Sequence, residues 1–482
     1  MSAILAIDQG TSGTKAIVVG EDGAVLAIAE EPVRPDYLAG DGVEVDPEAL
    51  WRSVLDSGHR AVAEAGVPLA AVALANQGET VLAWDRATGR PLTRAVVWQD
   101  GRSRSVTGRL AADAETVAAR TGLVLDPYFS APKMRWIREN WTSSGVVTTT
   151  DTWLVHRLCG AFVTDVSTAS RSLALAIDEV AWDAGLLDLF GLGGEELPTI
   201  VACDDVVGTT SVFGAEVPVC GLVVDQQAAL LAQSCLEAGT AKCTFGTGAF
   251  LLANVGDHAV RSSTGLTTSV AWRLCGETTY CIDGQVYTAA SAVRWLVDLG
   301  LLSDARELDA VAAAESGGVL AVPTLAGAAA PWWRSDATAS WHGMTLATGR
   351  GELVRAVLEG IATQVAVLAR SVATDLGSPT SVLRVDGGLT QSAALMQAQA
   401  DIAQTPVELY PGAHATALGA AAAARLAIDP DLSVADAVGD WEPERLYQPQ
   451  WSADRAATHL DRWIRTLESG LSADEDSPSG VA

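Results

Sequence analysis

The chain has 482 residues, of which 49% are hydrophobic, with a formal charge of −28 and a pI near 4.4. This length exceeds what one core usually supports, so two α/β domains are expected, and so acidic a surface disfavours nucleic acid and anionic lipid as partners. No apolar run reaches membrane-spanning length without a charge or glycine, no basic-then-apolar leader opens the chain, and the seven cysteines include no C-x-x-C pair. They read as reduced, mostly buried thiols of a cytoplasmic protein, and the six histidines form no ligand-spaced pair.

In chain order, residues 3–7, 15–20 and 24–31 predict three strands, the last two joined by the Glu21-Asp22-Gly23 turn. Asp46-Pro47 predicts a helix start, with Leu50, Val54, Leu55 and Ala61 at helical spacing. Residues 67–75 form a further strand. Residues 217–224 are a strand that leads at Asp225 into a helix over 226–233. The second half repeats the theme, with a hairpin over 241–255, a helix over 289–299, a strand over 381–385 ending at Asp386-Gly387-Gly388, and helices over 391–403 and 415–426. The chain turns polar after Asp429, and residues 470–482 read as an acidic, disordered tail. The expected domains are 1–245 and 246–435, followed by an extension over 436–482.

Two segments look like the jaws of one phosphate clamp. Asp8-Gln9-Gly10-Thr11-Ser12-Gly13-Thr14 follows an apolar strand, and Thr244-Phe245-Gly246-Thr247-Gly248 precedes another. Unpaired backbone N–H groups and hydroxyls in such turns can face an anion, and glycine lets the backbone approach it. One such turn in each half implies a ligand in the cleft between them. Asp225, at a helix N-terminus, is suited to accepting or orienting a hydroxyl proton.

Longer strings carry a resemblance: Asn76-Gln-Gly-Glu-Thr, Ala95-Val-Val-Trp-Gln-Asp, residues 121–130, Asp225-Gln-Gln-Ala-Ala-Leu, Thr244-Phe-Gly-Thr-Gly, Asp386-Gly-Gly and Thr416-Ala-Leu-Gly-Ala-Ala. Over residues 3–430 the chain resembles the FGGY carbohydrate kinases, and within them the glycerol kinases. The resemblance implies two ribonuclease-H-like (actin-type) α/β domains with ATP and a small polyol in the cleft, Mg²⁺ as a second cofactor, and a homodimer or homotetramer. It places Asp225 as the catalytic base. Gln226, Glu79, Trp98, Tyr128 and Phe250 fall around the acceptor, and Asp8 at the metal. Thr11, Ser12, Gly13, Lys15 and Thr247 fall at the phosphates, and Ala290, Arg294, Gly388 and Ser392 on the nucleoside side.

Three departures stand out. Gly78 replaces the arginine that glycerol kinases carry directly before the Glu79 equivalent, which suggests a gap or room for a four- or five-carbon polyol. Lys15 replaces an arginine, and Ala290, Arg294 and Ser392 replace glycine, glutamine and asparagine. The rival readings are a ketopentose kinase of the same fold, such as a xylulokinase, and a non-catalytic actin-type nucleotide-binding protein. Retention of Asp8, Asp225 and Thr247 together disfavours the second rival, because a scaffold needs no base.

Overall fold

The structure, a computed structural model, describes residues 3–475. Strand β1 (Ala3–Gly10) is apolar and buried nearly throughout, as a strand covered on both faces must be. It pairs antiparallel with β2 (Gly13–Val19) from Ile4↔Val19 to Gly10↔Gly13, so only Thr11 and Ser12 remain in the turn. Gly13 has no room for a side chain, since a Cβ there would lie 2.6 Å from the Glu31 carbonyl oxygen. Strand β3 (Val25–Pro32) pairs with β2. Helix α1 (Pro47–Ala65) starts at Asp46, whose carboxylate accepts the Glu48 N–H, and stops at left-handed Gly66.

Strand β4 (Leu69–Asn76) then runs parallel to β1. After the short helix α2 (Val166–Ser170) come β5 (Gly208–Thr210) and β6 (Val217–Val224), completing a sheet of order β5-β6-β4-β1-β2-β3. Residues 36–45 and 81–149 build a smaller mixed-length sheet beside it. Helix α3 (Asp225–Ala232) leads out of this half.

The second half begins with β7 (Ala241–Phe245) and β8 (Ala249–Gly256), whose pairing ends at Phe245↔Ala249 and leaves Gly246-Thr247-Gly248 as the turn. Strands β9 (Thr267–Leu274) and β10 (Glu277–Val286), helices α4 (Ala290–Asp298) and α5 (Arg350–Leu376), and strand β11 (Leu383–Asp386) follow. Then come α6 (Ala393–Ala403), β12 (Val407–Leu409), α7 (Ala415–Ile428), β13 (Arg445–Tyr447) and α8 (Ala453–Glu475). The sheet order is β9-β10-β8-β7-β11-β12-β13. The plan of the first half recurs: β7, β8 and β10 are successive antiparallel neighbours, and β11 and β12 run parallel to β7 just as β4 and β6 run parallel to β1. Helix α5 is long and apolar enough to cross a membrane by length and composition, but it is largely buried inside the fold.

The tail expected to lack structure from residue 470 is helical as far as Glu475, and residues 476–482 lie outside the described residues. The reason is an apolar stripe that acidic composition masks: Leu460, Trp463, Leu467 and Leu471 recur at helical spacing and are buried. The Trp463 indole N–H also donates to the Ala321 carbonyl at 2.8 Å. The extension therefore closes the second half, with β13 as its edge strand.

The halves meet backbone to backbone. Alanine-rich α7 lies across β1, β4 and β6 and packs on α3. A Cβ at Gly419 would sit 1.9 Å from the Ala228 carbonyl oxygen, and one at Gly221 would sit 2.5 Å from the Ala420 carbonyl oxygen. Gly419→Ala is therefore expected to lower stability by about 1–3 kcal/mol through overpacking. Gly470→Ala, where nothing lies within 4 Å of the added atom, should be neutral or stabilising. Thermal unfolding of the two variants beside the wild type checks both.

Candidate active site

One cavity of about 540 Å³ lies between the halves, and both Gly-Thr turns open onto it. Of the residues expected at a site, Thr11, Ser12, Glu79, Trp98, Tyr128, Asp225, Gln226, Thr247 and Phe250 line this cavity. Each is delivered by the end of an element. Thr11 and Ser12 come from the β1–β2 turn, Thr247 from the β7–β8 turn, and Asp225 and Gln226 from the first turn of α3.

The aromatic wall is built from Trp98, Tyr128 and Phe250. Trp98 meets Tyr128 edge-on at 5.4 Å and Phe250 at 6.2 Å between ring centroids. Its indole N–H donates to Thr11 Oγ1 at 2.8 Å, which ties this wall to the first phosphate turn. The Lys133 ammonium, fully buried, donates to the Tyr128 and Phe129 carbonyls, and burial lowers its pKa to about 7.

The carboxylates face an apolar, like-charged setting. Burial foremost, then the Asp225 charge, raises Asp8 to about 7, against the opposing pull of Lys15. Lys15 is the register partner of Asp8 on β2 and pairs with Glu30 at 3.1 Å. Glu79 is also raised to about 7, by burial above all, with the Arg171 guanidinium and Lys133 pulling it down. Asp225 is raised by burial too, offset by Lys242, by the Gln226 N–H that it accepts at 2.6 Å, and by Arg171. The Lys242 ammonium donates to Gln226 Oε1 and to Thr244 Oγ1, whose hydroxyl donates to Asp386 Oδ1 at 2.6 Å. All three lysines of the chain thus attend this cleft.

Other expected residues stand elsewhere. Gly13 and Lys15 support the first turn from outside the cavity lining, and Ala290, Arg294 and Gly388 lie beyond its edge, with Arg294 and Gly388 exposed. Ser392 is buried. Its hydroxyl donates to Asp309 Oδ1 and accepts the Leu395 N–H at 3.1 Å as the cap of α6. Gly78, expected to leave a gap or room for a longer polyol, is not itself part of the cavity lining. It is buried in a left-handed conformation (φ 62°), and a Cβ there would meet Val224 Cγ2 at 2.8 Å. The charge expected to be missing beside Glu79 is present, supplied by Arg171, which sequence reasoning passed over. Arg171 and Asp283 both line the cavity, and only the pairing of a remote arginine with Glu79 could have signalled them.

The donor set suits a hard cation held chiefly by phosphate and water. Among the described residues no group of three or more His, Cys, Asp or Glu could hold a metal by itself. Asp8, a half-buried carboxylate at the end of β1 beside the phosphate turn, fits one ligand of an octahedral Mg²⁺.

The chain matches the family model for the N-terminal domain of FGGY carbohydrate kinases over residues 3–232 and that for the C-terminal domain over 241–428. It is 42% identical to a glycerol kinase of Alkalilimnicola ehrlichii, covering 99% of this chain and 100% of that one. It is 39% identical to one of Aromatoleum aromaticum, covering 97% and 98%. Among solved structures, Plasmodium falciparum glycerol kinase with ADP superposes with a TM-score of 0.91 at 31% identity, covering 98% of each chain. A xylulose kinase from Rhodospirillum rubrum shares the fold, with a TM-score of 0.85 at 23% identity and 98% coverage of each.

Raised carboxyl groups make a stability prediction. Between its ordinary value of 3.8 and about 7, Asp8 binds more proton in the folded than in the unfolded chain, so folded stability falls as pH rises through that window. Asp8→Asn removes this dependence. The ligand-free variant should lose less stability than wild type between pH 5.5 and 8, by on the order of 1–3 kcal/mol, as read by thermal unfolding at both pH values.

Proposed function

The chain belongs to the FGGY family of carbohydrate kinases and is an ATP-dependent kinase, and on that premise we propose that it transfers the γ-phosphoryl group of ATP to a primary hydroxyl of glycerol. One observation carries this reading: Asp225 and Glu79 line the same cavity as both Gly-Thr turns. Phosphoryl transfer to an alcohol needs an in-line hydroxyl, a base beside it and donors around the equatorial oxygens, all within one water-poor space.

Asp225 takes the proton of the attacking hydroxyl. Burial raises its basicity toward the working pH, where a general base is most effective. Gln226, its carbonyl held by Lys242, turns its amide N–H groups to an acceptor hydroxyl. Glu79 and the Tyr128 hydroxyl serve the oxygen edge of the polyol, while Trp98 and Phe250 pack on its C–H edge. Thr11, Ser12 and Thr247 offer hydroxyls and backbone N–H groups to the phosphates. Asp8 would hold Mg²⁺, which when bound would supply neutralisation of charge on the phosphate oxygens. Free, mostly buried cysteines suit a reducing cytoplasm.

A longer polyol was suggested by Gly78, but that residue lies off the cavity lining and an arginine stands beside Glu79, so glycerol is favoured. A ketopentose acceptor is less favoured, since the similarity to xylulose kinases is at the level of fold. In steady-state kinetics over glycerol, erythritol, threitol, pentitols and xylulose, glycerol should give the highest kcat/KM. Asp225→Asn should lower kcat by about 10²–10⁴-fold with little change in the KM for ATP. Near wild-type turnover in that variant would remove Asp225 from the chemistry.

A further inference from the structure

Arg171 is the one arginine in the cavity wall that is buried, with 5% of its surface exposed. It follows α2, whose start is pinned by Asp165 accepting the Ser167 and Thr168 N–H groups, so its stem is fixed. Its Nε donates to Glu79 Oε1, and its Nη1 donates to Asp283 Oδ1 at 3.1 Å. The guanidinium also lies 5.6 Å from the ring centroids of both Tyr128 and Phe129. Glu79 follows β4 of the first sheet, whereas Asp283 belongs to β10 of the second. A planar fork presents its N–H groups to two carboxylates at fixed angles, which the point charge of an ammonium on a flexible stem does not.

We propose that Arg171 is the positioning residue of the acceptor subsite: it fixes the Glu79 carboxylate for the acceptor hydroxyls and, through Asp283, ties that carboxylate to the setting of the two halves. The proposal rests on the kinase reading above. A buried ion pair is weak grounds for stability, because desolvation offsets its attraction. Its position supplies the functional argument. Any change in the angle between the halves shifts Asp283 relative to Glu79, and the shared guanidinium transmits that shift to the carboxylate that meets the acceptor.

The groups facing Glu79 are Arg171, Lys133 from the helix Ser130–Asn140, Tyr128, and Asp225 from α3, with Asp283 behind Arg171. Deleting the guanidinium leaves Glu79 with burial and the Asp225 charge opposed only by Lys133, so its proton is held to higher pH. Deleting the Asp283 charge does the reverse, because Arg171 then serves Glu79 alone.

The test is kinetics of Arg171→Met, Arg171→Lys and Asp283→Asn from pH 5.5 to 9.5, with thermal unfolding run in parallel. Arg171→Met should raise the KM for glycerol by about 10–100-fold, leave that for ATP within about threefold, and move the acidic limb of kcat/KM for glycerol to higher pH. Asp283→Asn should move the limb to lower pH. Arg171→Lys, which keeps the charge but loses the fork, should raise the KM for glycerol with the limb in place, and it carries the test if the methionine variant does not fold. Limbs that stay put, or that move the same way in Arg171→Met and Asp283→Asn, overturn the proposal, as does an unchanged KM for glycerol in Arg171→Lys. A wild type that consumes no ATP with any acceptor overturns the kinase reading itself, a different outcome.

Discussion

Crowding of buried carboxylates is the constraint to which the rest of this structure answers. Glu79 and Asp225 line the cavity and Asp8 stands at the end of β1 beside it; burial raises the pKa of all three, and the Asp225 charge raises those of Asp8 and Glu79 further. Left unpaired, such groups would take up protons and lose their use as ligand or base. The fold counters with a few cations: buried Arg171 beside Glu79, buried Lys242 near Asp225, and partly exposed Lys15 across the strand from Asp8. These offset the burial only in part. What remains is a site short of positive charge, which favours a divalent cation, while the backbone N–H groups of the two turns are left to meet the phosphates.

The doubled architecture makes that crowding possible. Each half contributes a central strand ending in a short turn, and helices α3 and α7 bring the halves so close that glycine is required at the contact. Side chains set far apart in sequence then face one another across a few ångströms. Any opening or closing about this contact would alter separations within a charged cluster in which small displacements have large electrostatic consequences.

How much of this was legible in the sequence divides by range. Apolar runs, the Asp46-Pro47 helix start and the two Gly-Thr turns are local signals, and the strands and helices stand where those signals put them. The composition of the cavity wall was legible through long matching strings. Pairings across the fold were not: Arg171 lies 92 residues from Glu79 and 112 from Asp283, and no local pattern announces either contact. Gly78 shows the same limit, because a side chain missing at one position says nothing about what another segment brings, here Arg171 beside Glu79. Ser392, expected on the nucleoside side, caps α6, a role that serine fills by its short hydrogen-bonding side chain. In the C-terminal helix, acidic residues hid the stripe of Leu460, Trp463, Leu467 and Leu471.

The placement of lysine has a practical side. The chain has Lys15, Lys133 and Lys242 and no others, and two of the three are fully buried while Lys15 is held by Glu30. Reagents or enzymes that modify side-chain amines, whether acylating agents, aldehyde cross-linkers or an immobilising resin, therefore find almost no purchase on the outer surface. Of the three lysines, the only partly exposed one, Lys15, stands behind the first phosphate turn. Modification of a lysine side chain in the folded protein should consequently register as a change at the cleft, and a bound nucleotide that covers this turn would be expected to slow it.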